Sequence, residues 1–174
     1  MKKLFPILLI FILIATLHKS FGQQADSRWD KWKYLIGEWK GEGDGKPGQG
    51  KGSFSFLPDL DGKILVRKNH SEYPANSGKP AIIHDDLMIV YPPGSDVPSK
   101  AIYFDNEGHV INYSILYPES GIVMTSEVVQ GFPGFRLTYH FIDDKTISVK
   151  FEIASPSNAN DFETYLEGRC VKQN

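Results

Sequence analysis

The sequence predicts an all-β fold, a closed antiparallel up-and-down barrel of about ten strands with one short N-terminal helix. Two observations predict it. Short segments of alternating apolar and polar residues, each bounded by turn residues, follow one another over residues 38–171, which is typical of antiparallel strands. Only one segment, residues 27–36, has a helical pattern. An up-and-down sheet of this length exposes two edges that closure into a barrel removes, so a sandwich with open edges is the second choice.

The helix is predicted immediately before the first strand. Asp26 or Ser27 caps its N-terminus, and Gly37 ends it. The apolar side chains of its one face are Trp29, Trp32, Leu35 and Ile36. This spacing is that of a short amphipathic helix, and we expect the helix to act as a plug that leads into the first strand.

The ten strands are predicted from alternation and from turn residues. They cover residues 38–43, 52–57, 63–72, 82–91, 100–104, 109–117, 122–130, 135–142, 146–154 and 162–171. The alternation is clearest in two neighbouring strands, whose apolar faces carry Phe135, Leu137, Tyr139 and Phe141 in one and Ile147, Val149, Phe151 and Ile153 in the other. A period of two predicts one buried face and one solvated face for each strand.

A glycine-rich segment, residues 43–52, connects the first two strands. Glycine tolerates backbone angles that other residues avoid, so we expect a loop at one mouth of the barrel. A phosphate-binding loop is the alternative, but the segment lacks the Gly-Lys-Ser/Thr ending and no helix pattern follows it. The loops at residues 73–80 and 92–98 are expected to frame or gate a mouth as well.

Residues 1–22 have the layout of a secretory signal peptide. Two lysines precede an apolar run over residues 4–17, and Ser20 and Gly22 place small residues before a cleavage site. The apolar run is shorter than the roughly 20 residues that a spanning helix needs, so no stable membrane anchor is expected after cleavage. The sequence therefore predicts a periplasmic or secreted protein whose single domain is residues 23–174.

The composition limits the partners of the mature chain. Of the 19 basic and 21 acidic residues, the signal peptide holds three lysines and no acid, which leaves 16 basic against 21 acidic residues. This negative balance argues against nucleic-acid binding, which needs a basic face, and against docking on anionic lipid. The single cysteine, Cys170, permits no internal disulfide. A domain of about 150 residues is large enough to be stable from its core alone.

Two signals near the ends of the mature domain carry a family resemblance. Gly37-Glu38-Trp39 follows the short helix, and Arg169 lies in the last predicted strand. With the strands between them, the chain resembles the calycin superfamily of lipocalins, fatty-acid-binding proteins and nitrobindin-like barrels. The resemblance implies that the first and last strands meet, that the Trp39 ring closes one end of the barrel with Arg169 packed over it, and that the lumen holds a ligand.

Two departures from these families limit what the resemblance implies. Nitrobindin-like barrels bind haem through a histidine near the carboxyl end, whereas the predicted last strand contains no histidine, so neither haem nor another cofactor is expected. Fatty-acid-binding barrels insert a helical lid after the first strand. This chain has its glycine-rich segment at that place, so a lid of that sort is not expected.

The last strand holds two candidate ligand-binding residues, Tyr165 and Arg169. If Arg169 faces the lumen, the period of two places Tyr165 on the same side. The pair then resembles the tyrosine and arginine with which fatty-acid-binding barrels hold a carboxylate head group, which an arginine fork fits well. The alternative is that Arg169 only covers Trp39 and is neutralised by Glu167, since a buried charge needs a partner.

Other polar strand residues are candidates for orienting a ligand in an apolar pocket, and we single out Arg67 and Asn112. His84 and Asp86 suggest a metal site, because residues two apart on a strand share a face, with His70 or His109 as a third ligand. The alternative is a loop-to-strand turn with capping acids. Nothing in the sequence fixes a third ligand, so no metal is expected.

The sequence thus predicts a binding module, an exported barrel that holds a small apolar or amphipathic ligand in its lumen. One alternative is an enzyme on the same fold, an acid–base isomerase or hydrolase of a hydrophobic substrate. Another is a structural or interaction protein whose barrel is filled by its own side chains. No nucleophile motif such as Gly-x-Ser-x-Gly occurs, so no catalytic residue is assigned.

Overall fold

A computed structural model describes residues 27–43, 50–75, 78, 80–94 and 96–174. The strands are β1 Gly37–Gly41, β2 Lys51–Asp59, β3 Ile64–Tyr73, β4 Ile82–Tyr91, β5 Lys100–Asp105, β6 Val110–Leu116, β7 Gly121–Ser126, β8 Gly134–Asp143, β9 Thr146–Ala154 and β10 Phe162–Lys172. The predicted signal peptide, the predicted cap Asp26 and most of the predicted glycine-rich loop lie outside the described residues.

All ten strands belong to one closed barrel. Each strand pairs antiparallel with the next in sequence, and β1 pairs with both β2 and β10. At the seam, Trp39 on β1 lies opposite Phe54 on one side and Lys172 on the other. Closure leaves no sheet edge unpaired. The predicted up-and-down antiparallel barrel is therefore confirmed.

The predicted alternation agrees with the paired register. Across β8 and β9, Leu137 lies opposite Phe151 and Tyr139 opposite Val149, and these apolar side chains pack toward the core. The predicted bounds of β4 and β9 match the structure. One difference is that β2 continues to Asp59, beyond its predicted end. The chain then turns at residues 60–62, all three of which have positive φ.

The segment before β1 closes one end of the barrel. It contains a single 3-10 helix, Ser27–Trp29, followed by turns, so the regular helix is shorter than the predicted one. The Trp29 indole donates to the carbonyl of Gly62 at 2.8 Å, and the Trp32 indole donates to the Tyr117 hydroxyl at 2.9 Å. Both partners follow strand ends, so the segment covers the end that carries the β2–β3 and β6–β7 turns. In the described residues, no helix has the length and apolar character to cross a membrane.

The cation that covers Trp39 is Lys172, which corrects the expectation for Arg169. Lys172 Nζ lies 5.4 Å from the centroid of the Trp39 ring and donates to the Tyr34 carbonyl at 3.0 Å. Arg169 is three residues away on the same strand, and an odd offset points to the opposite face. Its exposed side chain instead pairs with Glu42 at 3.3 Å on the outside of the barrel.

Gly37 has two physical reasons to be glycine. Its φ is +123°, a conformation that side chains with a Cβ rarely adopt. A Cβ at this position would also lie 3.1 Å from Lys172 Cε. The Gly-x-Trp signal at residues 37–39 therefore serves the seam, because it lets the Lys172 side chain cross β1 and lie over the Trp39 ring.

Candidate functional site

The inner-facing side chains are packed at the plugged end of the barrel and become more exposed toward the other end. On β3, Leu65 and Arg67 are buried, whereas Asn69, Ser71 and Tyr73 are half-buried. All five share the inner face, because the residues lie two apart along the strand. The exposure gradient indicates that the lumen is open toward the end that carries the β3–β4 loop.

The opposite side of the barrel shows the same gradient. On β9, Ile147 is buried, whereas Val149 and Phe151 are half-buried. On the inner face of β10, Leu166 is 45% exposed, and a Cβ added to Gly168 would meet no atom within 4 Å. The half of the barrel next to the N-terminal segment is therefore filled with side chains, and the other half forms an open cup.

The cup has a polar wall on β3, β4 and β5. Its inner-facing residues are Asn69, Ser71, His84, Asp86 and Tyr103. The Asn69 amide donates to the Ser71 hydroxyl at 3.3 Å. These groups offer both hydrogen-bond donors and acceptors to whatever enters the cup.

The facing wall, on β8, β9 and β10, is apolar. Phe135 and Phe151 stack with their ring centroids 6.0 Å apart and 9° between the planes, and Leu166 completes the surface. In the ring of strands, β8, β9 and β10 lie across the barrel from β3, β4 and β5. A cleft of about 330 Å³ lies beside this wall at the β9–β10 connection, and it is lined mostly by polar residues, Ser155, Asn158, Asp161, Glu163 and Thr164. The cup is thus amphipathic from side to side.

Arg67 lies at the floor of the cup and is neutralised by Asp86. Their side chains form an ion pair and are only 8% and 4% exposed. The guanidinium also lies over the Phe54 ring, at 5.2 Å from its centroid. The Tyr139 hydroxyl is buried beside the guanidinium, and the two side chains interact. Buried polar groups are nearly always paired, and here Arg67 and Tyr139 serve each other beneath the floor of the cup.

A hydrogen-bonded chain runs from Asp86 to the rim. His84 Nε2 lies 3.5 Å from Asp86 and 3.0 Å from the Tyr103 hydroxyl, and His84 Nδ1 lies 3.0 Å from Glu107. The hydrogen bond with Asp86, assisted by Glu107, raises the pKa of His84 to about 9 against the effect of partial burial. His84 is therefore protonated at neutral pH and donates from both ring nitrogens.

The same chain fixes the β5–β6 turn. The Tyr103 hydroxyl donates to Asp105 at 3.3 Å, and Asp105 accepts hydrogen bonds from the backbone of Glu107 and from the backbone and ring of His109. Burial acts against ionisation of Asp105, but the hydrogen bonds from His109 lower the pKa of this carboxyl. Burial, with the nearby Asp86 and Asp105 charges, raises the pKa of Tyr103, so its hydroxyl stays protonated.

The pair considered as metal ligands does converge, but the expected third ligands do not join it. His70 lies on the outer face and contacts Asp85 at 2.6 Å, and the His109 ring is bound to Asp105. Among the described residues, no group of three or more His, Cys, Asp or Glu side chains is arranged to hold a metal ion.

Of the predicted ligand-binding residues, only Arg67 lies inside the barrel. Asn112 is exposed and lies opposite Ile102 on the outer face, so the expectation that it lines the pocket is corrected. Its neighbour Tyr113 takes the inner face and is buried. Sequence parity gives the two faces of a strand but not which of them points inward.

Tyr165 and Arg169 do not form the expected pair. Arg169 points outward, whereas Tyr165 is 73% exposed at the rim with its ring edge-on to Phe151 at 6.1 Å. The register of β10 against β9 shifts between Thr164 and Leu166. This bulge interrupts the period of two, which is why counting back from Arg169 misplaces Tyr165.

No family model matches this chain. No curated protein matches it either. The resemblance to calycins therefore stays a prediction, which rests on the barrel architecture and on Gly37 and Trp39 at the seam.

Three contributors to the site were not recognised from the sequence. Tyr103 lies in the predicted strand over residues 100–104, and Asp105 and Glu107 lie between two predicted strands, with no role in a site predicted for any of them. The sequence held one indication of them. His84 and Asp86 share one face of a strand, and polar side chains on an inner face need polar partners on a neighbouring strand. The partners themselves depend on the β4–β5 register, in which Asp86 lies opposite Asp105.

Proposed function

We propose that this protein is an exported barrel that binds a small amphipathic molecule in the open half of its lumen. The observation that carries the proposal is the cup, with its polar wall on β3–β5 and its apolar wall on β8–β10. An apolar ligand body against Phe135, Phe151 and Leu166 removes apolar surface from water, at roughly 25 cal/mol per Å² before the entropy costs of binding. The polar wall orients the other end of the ligand.

A variant that fills the cup tests this proposal. Gly168 lies on the inner face of β10, and a side chain there meets open space, so Gly168→Phe should fold and occlude the ligand. Glu167→Phe is the matched control, because Glu167 is adjacent to Gly168 on β10 and its side chain points outward. Native mass spectrometry of each purified protein should show a bound small molecule in the wild type and in Glu167→Phe, and a loss of about tenfold or more in the bound fraction of Gly168→Phe.

The same spectra distinguish the filled-barrel alternative. The packed half of the barrel supports a purely structural role, which predicts that all three proteins are free of small molecules and that no amphiphile raises the melting temperature. That result would remove the proposal. Equal occupancy of Gly168→Phe and the wild type would instead place the ligand outside the cup.

An enzyme on this barrel is the second candidate, and the inner cluster of His84, Asp86 and Tyr103 supports it. The cluster suits hydrogen-bond donation more than base catalysis, because a histidine with a pKa of about 9 is charged at neutral pH. Chemical change of a co-purified ligand during incubation, absent in His84→Gln, would favour this candidate over simple binding.

Export is the part of the proposal that rests on residues 1–22, outside the described part of the chain. Their basic start, apolar run and small residues support it. N-terminal sequencing of the protein from the exported fraction should begin at Gln23. A mature chain that retains Met1, or that remains in the cytoplasm, would contradict export without affecting the proposal for the cup.

A further inference from the structure

We propose, resting on the function proposed above, that the ligand carries a neutral head group and that Asp86 is the residue that excludes a carboxylate. The feature that points to this is the charge balance at the floor of the cup. Among the described residues, Arg67 is the only lysine or arginine that is buried. Its guanidinium is already paired with the Asp86 carboxylate, so it offers hydrogen bonds without a surplus positive charge.

The groups around the Arg67–Asp86 pair do not supply a surplus positive charge that could neutralise a carboxylate ligand. His84 lies between two carboxylates, Asp86 at 3.5 Å and Glu107 at 3.0 Å. Asp105, whose side chain is 4% exposed, pairs with the His109 ring at 2.7 Å. Among the described residues of this side of the cup, the two cations Arg67 and protonated His84 are therefore each matched by a carboxylate. An incoming carboxylate would be an uncompensated charge next to Asp86, in surroundings that penalise such a charge.

A neutral oxygen meets no such penalty. Three hydrogen-bonding groups of the polar wall, Asn69, Ser71 and the Tyr103 hydroxyl, are neutral, and the two charged ones, His84 and Asp86, pair with each other. At the floor, the Arg67 guanidinium is already engaged by Asp86 and Tyr139 and leaves no free charge for a carboxylate. Selectivity then follows from repulsion of the wrong head group as well as attraction of the right one. The chemical class is an uncharged single-chain amphiphile, such as a fatty alcohol or a similar hydroxyl- or carbonyl-bearing molecule.

Matched ligands test the inference directly. Decanol and decanoate have the same chain length and differ in the charge of the head group. Each is titrated into the purified protein at pH 7 against a neutral fluorescent probe, N-phenyl-1-naphthylamine. We expect decanol to displace the probe with an affinity at least about tenfold higher than decanoate, the ratio that one uncompensated charge easily produces.

Two asparagine variants identify the residue responsible. Asp86→Asn removes the inner carboxylate and should raise the decanoate affinity about tenfold while the decanol affinity changes little. Asp85→Asn is the matched control, because Asp85 is the adjacent residue on β4 and faces outward, where it pairs with His70. It should leave both affinities unchanged. Should Asp86→Asn fail to fold, the preference of the wild-type protein still decides whether the head group is neutral.

The outcomes separate the two proposals. Binding of decanoate as tightly as decanol, or an unchanged preference in folded Asp86→Asn, overturns the neutral head group but leaves the cup as a binding site. Failure of the probe, decanol and decanoate to bind at all overturns the proposed function and this inference with it.

Discussion

At the scale of single residues, the position of a basic residue on β10 decides whether its side chain reaches Trp39 at the seam. Lys172 and Arg169 are both basic and both lie on β10, and only Lys172 faces the same side as Trp39. Partial burial lowers the pKa of Lys172, yet its ammonium gains the Trp39 ring and the Tyr34 carbonyl. Arg169 has only an exposed pairing with Glu42, and exposed ion pairs contribute little.

This difference predicts a difference in stability. Lys172→Met should lower the free energy of unfolding by about 1–2 kcal/mol, because it removes a cation–π contact and a hydrogen bond from a charged donor. Arg169→Met is the matched control and should change it by about 0.5 kcal/mol or less. Urea denaturation followed by tryptophan fluorescence measures both. A larger loss of unfolding free energy for Arg169→Met than for Lys172→Met would instead support the arrangement that the calycin resemblance implies, with Arg169 packed over Trp39.

At the scale of elements, the polar wall joins β4, β5 and the β5–β6 turn through one ionisable side chain. His84 on β4 contacts Tyr103 on β5 and Glu107 in the turn, as well as Asp86 on its own strand. The contacts with the two carboxylates, Asp86 and Glu107, stabilise the protonated ring. The turn at the rim of the cup is therefore held to the wall by a hydrogen-bonded cation, and its attachment depends on pH.

The direction of that dependence follows from the pKa of His84, which folding raises from 6.5 to about 9. A raised pKa contributes stability that is complete below about pH 6.5 and is lost as the pH rises through about 9. The free energy of unfolding should therefore fall between pH 6 and pH 10, and His84→Gln should remove part of this fall. His140→Gln, on the outer face of β8, is the matched control and should leave it in place. An identical pH profile for His84→Gln and the wild type would contradict the assignment.

At the scale of the whole molecule, the barrel is divided into a packed half and an open half. The packed half holds the largest fully buried side chains, which include Trp32, Trp39, Phe56, Tyr113 and Tyr139. Trp32 contacts both Phe56 and Tyr117 and so ties the N-terminal segment to the barrel. Stability therefore comes from one end of the molecule, which leaves the other end free to serve a function.

Removal of the plug should destabilise the whole barrel. Trp32 is completely buried, so Trp32→Ala should lower the free energy of unfolding by about 3–5 kcal/mol. Tyr34→Ala is the matched control, since Tyr34 is 39% exposed and stacks only at the surface on Phe141, and it should cost much less. Circular dichroism and fluorescence should give coincident transitions. A loss for Trp32→Ala no larger than that for Tyr34→Ala would show that the segment is not part of the cooperative core.

More of the fold than of the candidate site could be predicted from the sequence. Alternation and turn residues were sufficient for ten strands, because a half-buried strand imposes a period of two on its own sequence. The candidate site depended on contacts between residues far apart in the chain. Arg67 was recognised as a candidate, but its pairing with Asp86 was not, and Asn112 and Arg169 were placed in the lumen although they face outward.

The sequence by itself determined the number, order and approximate ends of the strands, since these depend on local periodicity and on turn residues. Only the tertiary structure decided which face of each strand points inward and which side chains meet across the lumen. The physical reason is that register and bulges are set by pairing between strands. The bulge near Tyr165 reverses the face of that residue, and the pairing of β1 with β10 decides that Lys172, not Arg169, shares the face of Trp39. No local pattern records either.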